Sequence, residues 1–571
     1  MARFTVNDTP SGSKTLVFTG PPEIRIHSAY DPGREAERAI ASFKTGRATA
    51  IVVCGLGLGY HVAALRRRFP DRAIIVLESD PEVVGLARAS CPSNMEGVHI
   101  IVSPGDIPAL LENFDIDVFR GKAVYFHRPS YTLDRAFYDS MVADISRYFS
   151  SRLSDLLTRF EFEERWIANI FANLPRSFQA GRVAELFGKF SGFPGIIVSA
   201  GPSLRKNASL LGRLRGRALI VSVDTALKVL LRHGVEPHIV MTIDAQKHSI
   251  KHFLGERPGG TVLLADMVSY PRITDIYQGK TMFSTTAKYY NGPDGEVRRE
   301  PTPAMDWVER YIEPPGDVQS GGSVATSAFD LLLNLGCSPI VLVGQDLAYT
   351  GREIHSTGTH HNGEWLAKTT RFLNLDSINQ RVIRKRKIKY VEAYGGAGTV
   401  ISDYVFDLYR SWFEDSARKV AIPVINASGD GARIAGTIER PLESLIDEFP
   451  VRTPGPVELL RRSLARGGQN AGRLRLALEN ALDVTGAAVE LASRPAESLT
   501  DTERQILLDT AARDLPELFG PFLRRTNAYL ARHSELSAER SAGILLADIA
   551  AAARKLQRHL ASCRARIDEL P

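Results

Sequence analysis

A chain of 571 residues, 44% of them hydrophobic, is too long for one core, and three or four globular domains are expected. Its 71 basic and 65 acidic side chains leave a formal charge of +6, close to balance at this length, so no nucleic-acid partner is inferred. Four scattered cysteines, Cys54, Cys91, Cys337 and Cys563, make no CxxC and suggest neither a disulfide framework nor a structural zinc site; no apolar signal core opens the chain, and Asp224 and Lys228 interrupt the apolar run "RALIVSVDTALKVLL", so a cytoplasmic protein without a membrane span is expected.

In chain order, residues 1 to about 45 read as a β-rich cap followed by a helix, "DPGREAERAIASF". The stretch "AIVVCGLGLGYHVAALRRRFPDRAIIVLESD" then gives a strand, a Gly55-Gly57-Gly59 turn, a helix, and a second strand ending at Glu78. This is the order of a Rossmann-like βαβ unit, with an acidic residue placed to hold a ribose. It resembles the opening of an S-adenosylmethionine-dependent methyltransferase, although such glycines equally serve close helix–strand packing. The D-x-D at Asp115-Ile116-Asp117 reads as a strand with exposed charges. A Rossmann-like domain is therefore assigned to residues 1–149 and a helical connector, whose aromatics read as core, to 150–190.

Residues 191–450 alternate apolar strands with helical stretches, which favours a mostly parallel sheet covered by helices on both faces. Within them the basic run "RVIRKRKIKY" reads as a solvated face. From 451 to 571 the composition shifts to Ala, Leu, Arg and Glu, as in a helical bundle. The fold class is α/β with a helical C-terminus.

The chemistry falls in the central block, where strands end in polar or glycine-containing turns, the crevice side of an open α/β sheet. In "IIVSAGPSLRKN" a strand meets Gly201, Pro202 and Ser203 and then a helix; glycine permits positive φ or close approach, and serine is a good N-cap. Exposed amides at such a helix start attract phosphate. Gly321, Gly322 and Ser323 open a second helix in the same way. Asp224, Asp244, Gln345 and Asp346 each follow an apolar strand, where an isolated aspartate reads equally as a helix cap. The loop "DLAYTGREIHSTGTHHNGEW" adds His355, His360 and His361; His355 is the expected general base and Asp346 the second choice. The histidine spacing matches no zinc pattern, so no metal ligand is assigned and a divalent metal is left open.

Taken together, "HSAYDPGREAERAI", "VVCGLGLGYH", "FEERWIANIFANLP", "IIVSAGPSLRKN", "VDTALKVLLRHGVEPHIVMTIDAQ", "GGSVATSAFDLLLNLGCSPIVLVGQDLAYTGREIHSTGTH" and "VINASGDGARIAG" resemble the motility accessory factor (Maf) flagellin glycosyltransferases over most of residues 25–440. The central part also resembles the domain of the archaeal 6-hydroxymethylpterin pyrophosphokinases. The Maf resemblance implies a sialyltransferase-like central domain and transfer of a nonulosonic acid, pseudaminic or legionaminic, from a CMP-activated donor to Ser or Thr of flagellin. It implies donor contacts at Gly201, Pro202 and Ser203, preceded by Ala200 where sialyltransferases usually carry Asn. Two alternatives stay open: a pyrophosphokinase holding Mg²⁺ with Asp224, Asp244 and Asp346, and a non-catalytic flagellin-binding protein.

Overall fold

The computed structural model describes residues 3–95, 98–107, 114, 116–291, 296–464, 471–494, 498–533 and 535–570. The chain divides into two compact units, residues 1–161 with 290–298 and 524–542, and residues 162–289 with 299–523 and 543–571.

The first unit opens with an antiparallel sheet of β1 (Phe4–Asp8), β2 (Lys14–Phe18) and β3 (Ile24–Arg25). The helix Pro32–Ala41 follows, its N-cap Asp31 accepting from the Arg34 amide. A parallel sheet of β4 (Ala50–Cys54), β5 (Ala73–Leu77), β6 (His99–Ile101) and β7 (Lys122–Phe126) has the order β6-β5-β4-β7. This is the Rossmann-like arrangement, but its glycine turn is occupied by the protein itself. The Glu78 carboxylate, buried after β5, accepts from the Leu56 amide at 2.8 Å and from the Tyr138 hydroxyl at 3.2 Å. A Cβ at Gly55, where φ is +98°, would lie 2.2 Å from Ser130 Cβ, and one at Gly57 would lie 2.4 Å from His27 Nε2. The cavity lined by Gly57, Glu78, Ser130 and Tyr138 measures about 80 Å³, far below the roughly 300 Å³ at which ligand pockets begin. Close packing accounts for these glycines. Asp115 lies outside the described residues, and Ile116–Val118 forms a 3₁₀ turn in place of the expected strand.

The second unit is built on ten parallel strands. They are β8 (Gly181–Arg182), β9 (Gly195–Val198), β10 (Leu219–Val223), β11 (Ile239–Thr242), β12 (Val262–Asp266) and β13 (Thr281–Ala287). After two short strands, β14 (Tyr289–Asn291) and β15 (Val297–Arg299), come β16 (Asp317–Gln319) and β17 (Ile340–Val343). The hairpin β18 (Ile388–Glu392) and β19 (Thr399–Asp403) precedes β20 (Val424–Asn426) and β21 (Ile438–Glu439). The spatial order is β16-β13-β12-β11-β10-β9-β17-β20-β21, with β8 beside β13. β9 to β12 and β17 are buried along their whole lengths, which is why they read as unbroken apolar runs.

The order matters more than the count. From β9 the chain adds strands in one direction through β13, then crosses by the helix Val324–Leu335 to place β17 on the other flank of β9. Gly195 to Val198 pair with Ile340 to Val343, so the turns "SAGPS" and "GQD" emerge side by side at the switch point, where ligand crevices open in such sheets. One face is sealed by the second half of the helix Arg135–Ser177, whose Ile167, Ile170, Phe171 and Leu174 pack with Val240, Leu263 and Phe283 of the sheet and with Leu474, Leu478, Phe519 and Leu556 of the C-terminal helices. Of the aromatics in the stretch "TRFEFEERWIANIFANLPRSF", Phe171 and Phe178 belong to the core, whereas Phe160, Phe162 and Trp166 are only partly buried. Residues 384–390 of the basic run are exposed. Among the described residues no helix is long and apolar enough to cross a membrane.

The packing of the glycine turn predicts unequal effects at two positive-φ glycines of the first unit. Gly55→Ala should cost about 2–3 kcal/mol, from backbone strain plus collision with Ser130. Gly12→Ala, at φ +79° with nothing within 4 Å, should cost roughly 1 kcal/mol from strain alone. Urea unfolding of both variants measures the difference, and equal losses would mean that the Ser130 contact relaxes freely.

Candidate functional site

At the switch point the two turns are tied by one carboxylate. Asp346, 2% exposed, accepts from the Ser203 amide at 3.0 Å through one oxygen and from the Ser203 hydroxyl through the other. The Gly201 amide donates to the Gly344 carbonyl at 2.9 Å, and the Leu204 amide to the Gly201 carbonyl at 3.0 Å. Pro202 has no amide hydrogen, so the donors of "GPSL" are already paired within the protein. Gly201 is not at positive φ; a Cβ there would stand 2.2 Å from Asp346 Oδ1 and 2.5 Å from the Gly344 oxygen. The expected N-cap at Ser203 does not form, because its hydroxyl reaches Asp346, and only one α-turn, Leu204–Asn207, follows before the backbone tightens to 3₁₀. The segment "NASGDG" wraps the same knot. Ser428 Oγ accepts from the Gln345 amide at 3.0 Å, the Ala432 amide donates to the Asp346 carbonyl at 2.7 Å, and Gly431 passes where a Cβ would lie 2.5 Å from that carbonyl oxygen. Gln345 is itself buried, its side-chain oxygen accepting from Ser199 Oγ. Leu347, immediately after, holds φ +49°, a costly conformation for a non-glycine residue.

Burial raises the Asp346 carboxyl from its ordinary range to about 6, with the two Ser203 bonds opposing the rise. A group with both oxygens engaged and almost no exposure positions the turns; it is poorly placed to take a proton from an incoming hydroxyl. That removes the geometric ground for the expected second choice of base.

The second glycine turn is self-contained as well. Thr326 Oγ1 accepts from the Gly321 amide at 2.9 Å and the Ser323 amide at 3.2 Å, while Ser320 Oγ accepts from the Gly322 amide at 3.2 Å. Ser323 caps the helix Val324–Leu335 through the Thr326 amide, and Gly321 lies under Trp412, where a Cβ would come within 2.4 Å of the indole. The free amides expected as a phosphate cradle are therefore occupied at both turns.

Beside the knot the same sheet edge carries a second constellation. Asp224 follows β10, buried, and its oxygens accept from the Thr225 amide at 2.7 Å and the Thr242 hydroxyl at 2.8 Å. Asp244 follows β11, accepts from the Gln246 amide at 2.8 Å, and stands 3.3 Å from His248 Nε2. Burial raises both carboxyls, and for Asp244 the neighbouring Asp224 adds to the rise while His248 and Arg165 oppose it. Beside Asp224 lies the loop that follows β17, held down by the Ser356 amide donating to the Ala200 carbonyl at 2.8 Å. It brings His355 and His361 together as stacked rings 5.1 Å apart, and sets His360 against His252 with their Nδ1 atoms at 3.0 Å. Burial and the neighbouring imidazoles pull His355, His252 and His360 each down to about 3. His355 is thus neutral but a weak base, short of the near-neutral value on which its expected role rested.

Sequence reasoning missed His248, His252, Arg165 and Asp266. The two histidines sit four apart in "KHSIKH", a spacing that puts them near one another on a helical turn. Asp266 ends β12 as Asp224 follows β10; it accepts from the Val268 amide at 3.0 Å and Thr286 Oγ1 at 2.8 Å, and burial raises it to about 6. Asn169 and Asn173 of the long helix donate to the carbonyls of Ala245, Val268, Met267 and Ser269, fixing the loops that carry Asp244 and follow Asp266.

Residues 168–352, which contain all of this edge up to the loop, match the 6-hydroxymethylpterin diphosphokinase MptE-like family. The whole chain aligns in three dimensions with a Maf glycosyltransferase from Magnetospirillum magneticum AMB-1, covering 100% of this chain and 94% of that one at a TM-score of 0.54 and 16% identity. The two therefore share a fold. An uncharacterized protein of Treponema pallidum (strain Nichols) is 23% identical over 362 residues, 61% of each chain, and a second from the same organism is 26% identical over 255 residues, 40% of this chain and 60% of its own. This chain thus spans about three fifths of the length of the curated relatives it matches.

A raised Asp346 fixes the sign of a pH effect. The folded state holds its proton above the unfolded value of 3.8, so the contribution to stability is fully present below about pH 4 and is lost as pH rises toward about 6. Asp346→Asn cannot ionise. Across that window its stability should therefore fall less than the parent's, by on the order of 2–3 kcal/mol. Parallel denaturation curves for the two chains from pH 4 to 7 would place the titration elsewhere.

Proposed function

We propose that this chain is a cytoplasmic glycosyltransferase that moves a nonulosonic acid of pseudaminic or legionaminic type from a CMP-activated donor to Ser or Thr of flagellin before export. The observation that carries the reading is the full-length structural correspondence with a Maf glycosyltransferase, which extends well beyond the MptE-like segment. The crevice chemistry supports it. Direct displacement at an anomeric carbon needs a base for the acceptor hydroxyl and a way to meet the charge on departing CMP.

In this reading the base is His248. Its side chain is 49% exposed at the mouth of the crevice, and Asp244 behind it at 3.3 Å orients the ring and steadies the imidazolium that forms. His355 serves to seat His361 by stacking. Because the amides of "GPSL" and of Gly321, Gly322 and Ser323 are already paired, side-chain charge is left to meet the single phosphate of CMP, and Arg165, exposed and interacting with Asp244, is the candidate. Gly201, Ser203, Gln345, Asp346 and the Gly321-Gly322-Ser323 turn then shape the wall against which the donor lies.

The MptE-like match favours one second reading, diphosphate transfer from ATP to a pterin. The carboxylates it would use are already engaged: Asp346 by Ser203, Asp224 by Thr225 and Thr242, Asp244 by Gln246.

Intact mass of flagellin co-expressed with this chain and a nonulosonic acid pathway tests the proposal. Parent protein should add whole sugar masses, and Asp244→Asn and His248→Gln should each lower occupancy at least about tenfold while far-ultraviolet circular dichroism is unchanged. Unmodified flagellin alongside AMP release from ATP and hydroxymethyldihydropterin would favour the second reading.

A further inference from the structure

The crevice holds a histidine arrangement that base catalysis does not require. His252 comes from the 3₁₀ turn Lys247–His252 after β11, and His360 and His361 open the helix His360–Leu366, more than a hundred residues later. One ligand-capable atom from each lies within 4.8 Å of the other two. His252 and His360 meet nearly perpendicularly, at 87°, with Nδ1 facing Nδ1 at 3.0 Å. Two imidazole nitrogens bound to one tetrahedral zinc at about 2.0–2.1 Å would stand about 3.3 Å apart, so little movement separates this pair from a ligand pair. The two segments are also clamped: Lys251, next to His252, is ion-paired with Glu364, one helical turn beyond His360.

We infer that His252, His360 and His361 form a binding site for one divalent cation of zinc type, with a further coordination position open on the crevice side. Three neutral nitrogen donors select zinc, cobalt or nickel over magnesium or calcium, which take oxygen ligands. Burial favours the uncharged imidazole that a metal needs. His252 and His360 are 6% and 8% exposed, whereas His361 is only half-buried and interacts with Asp224, so the less buried side of the trio is the one beside Asp224. Three protein ligands with a free position is the pattern of zinc sites that bind water or a substrate oxygen.

A second trio in the first unit, His27, His61 and His127, meets the same distance criterion but not the same geometry. His61 and His127 are stacked 4.1 Å apart at 11°, so their in-plane lone pairs run side by side, and His27 Nε2 already accepts from the Leu58 amide at 2.7 Å.

The test uses the purified full chain, stripped with chelator and dialysed against cobalt(II), whose visible absorption reports nitrogen coordination. Parent protein should retain one equivalent with intense bands of a four- or five-coordinate site. His252→Ala/His360→Ala should lose that equivalent, and His99→Ala, which removes an exposed imidazole on β6 of the first unit, should keep it. His361→Gln, a milder change, should weaken cobalt binding at least about tenfold. Failure of the cooperatively melting parent to hold cobalt overturns the inference, and so does a double variant that binds like the parent. These readouts involve no sugar donor, so they stand apart from the proposed glycosyl transfer.

Discussion

Everything at the crevice depends on one buried carboxylate. Asp346 fastens β17 to the turn after β9 by holding both the amide and the hydroxyl of Ser203, and these two strands are where the sheet reverses its order. A carboxyl this deep is expensive to ionise, and two charge-assisted bonds only partly offset the cost. The neighbourhood is built to the same constraint. Gly201, Gly344 and Gly431 each stand where a Cβ would fall within 2.5 Å of a backbone or carboxylate oxygen of the knot or its strands, and Leu347 accepts a left-handed backbone. Such strain persists where surrounding packing over-determines it, as at functional sites.

With the knot as a fixed wall, the adaptable chemistry lies one to three strands away. Asp224, Asp244 and Asp266 sit at the tips of β10, β11 and β12, and the loop pinned to Ala200 brings His361 to the first of them. Burial pushes the carboxyls up and the imidazoles down, so both groups are driven toward their uncharged forms. His248 is the histidine of this edge that reaches solvent, whereas His252, His360 and His361 converge on one point.

Much of this architecture was legible because buried parallel strands announce themselves as short apolar runs, and "GIIV", "LIVSV", "IVMT", "VLLAD" and "IVLV" are all strands. The turn glycines were also legible, but not their reasons. Ser203 looks like a helix cap until Asp346, 143 residues away, takes its hydroxyl, and Gly321 looks like a phosphate cradle until Trp412 covers it. Local sequence cannot reveal a partner supplied by a distant strand. The histidine cluster was half visible for the same reason: "GTHHNG" and "KHSIKH" are each unremarkable, and only the crossover of the sheet sets His252 against His360. Asp266 stood in plain view as a strand tip equivalent to Asp224, and that signal went unused.

In the proposed function a CMP-sugar lies against the carboxyl ends of β10, β11 and β17 in the second unit, while the glycine turn of the Rossmann-like first unit is filled by the protein's own side chains. Hydrogen–deuterium exchange of the full chain with and without CMP tests it directly, because it reports on both edges in one experiment. Slowed exchange is expected in peptides covering residues 222–252 and 344–366, with no change across residues 54–60. Protection centred on residues 54–60 and 78–82, with the second unit unaffected, would contradict it.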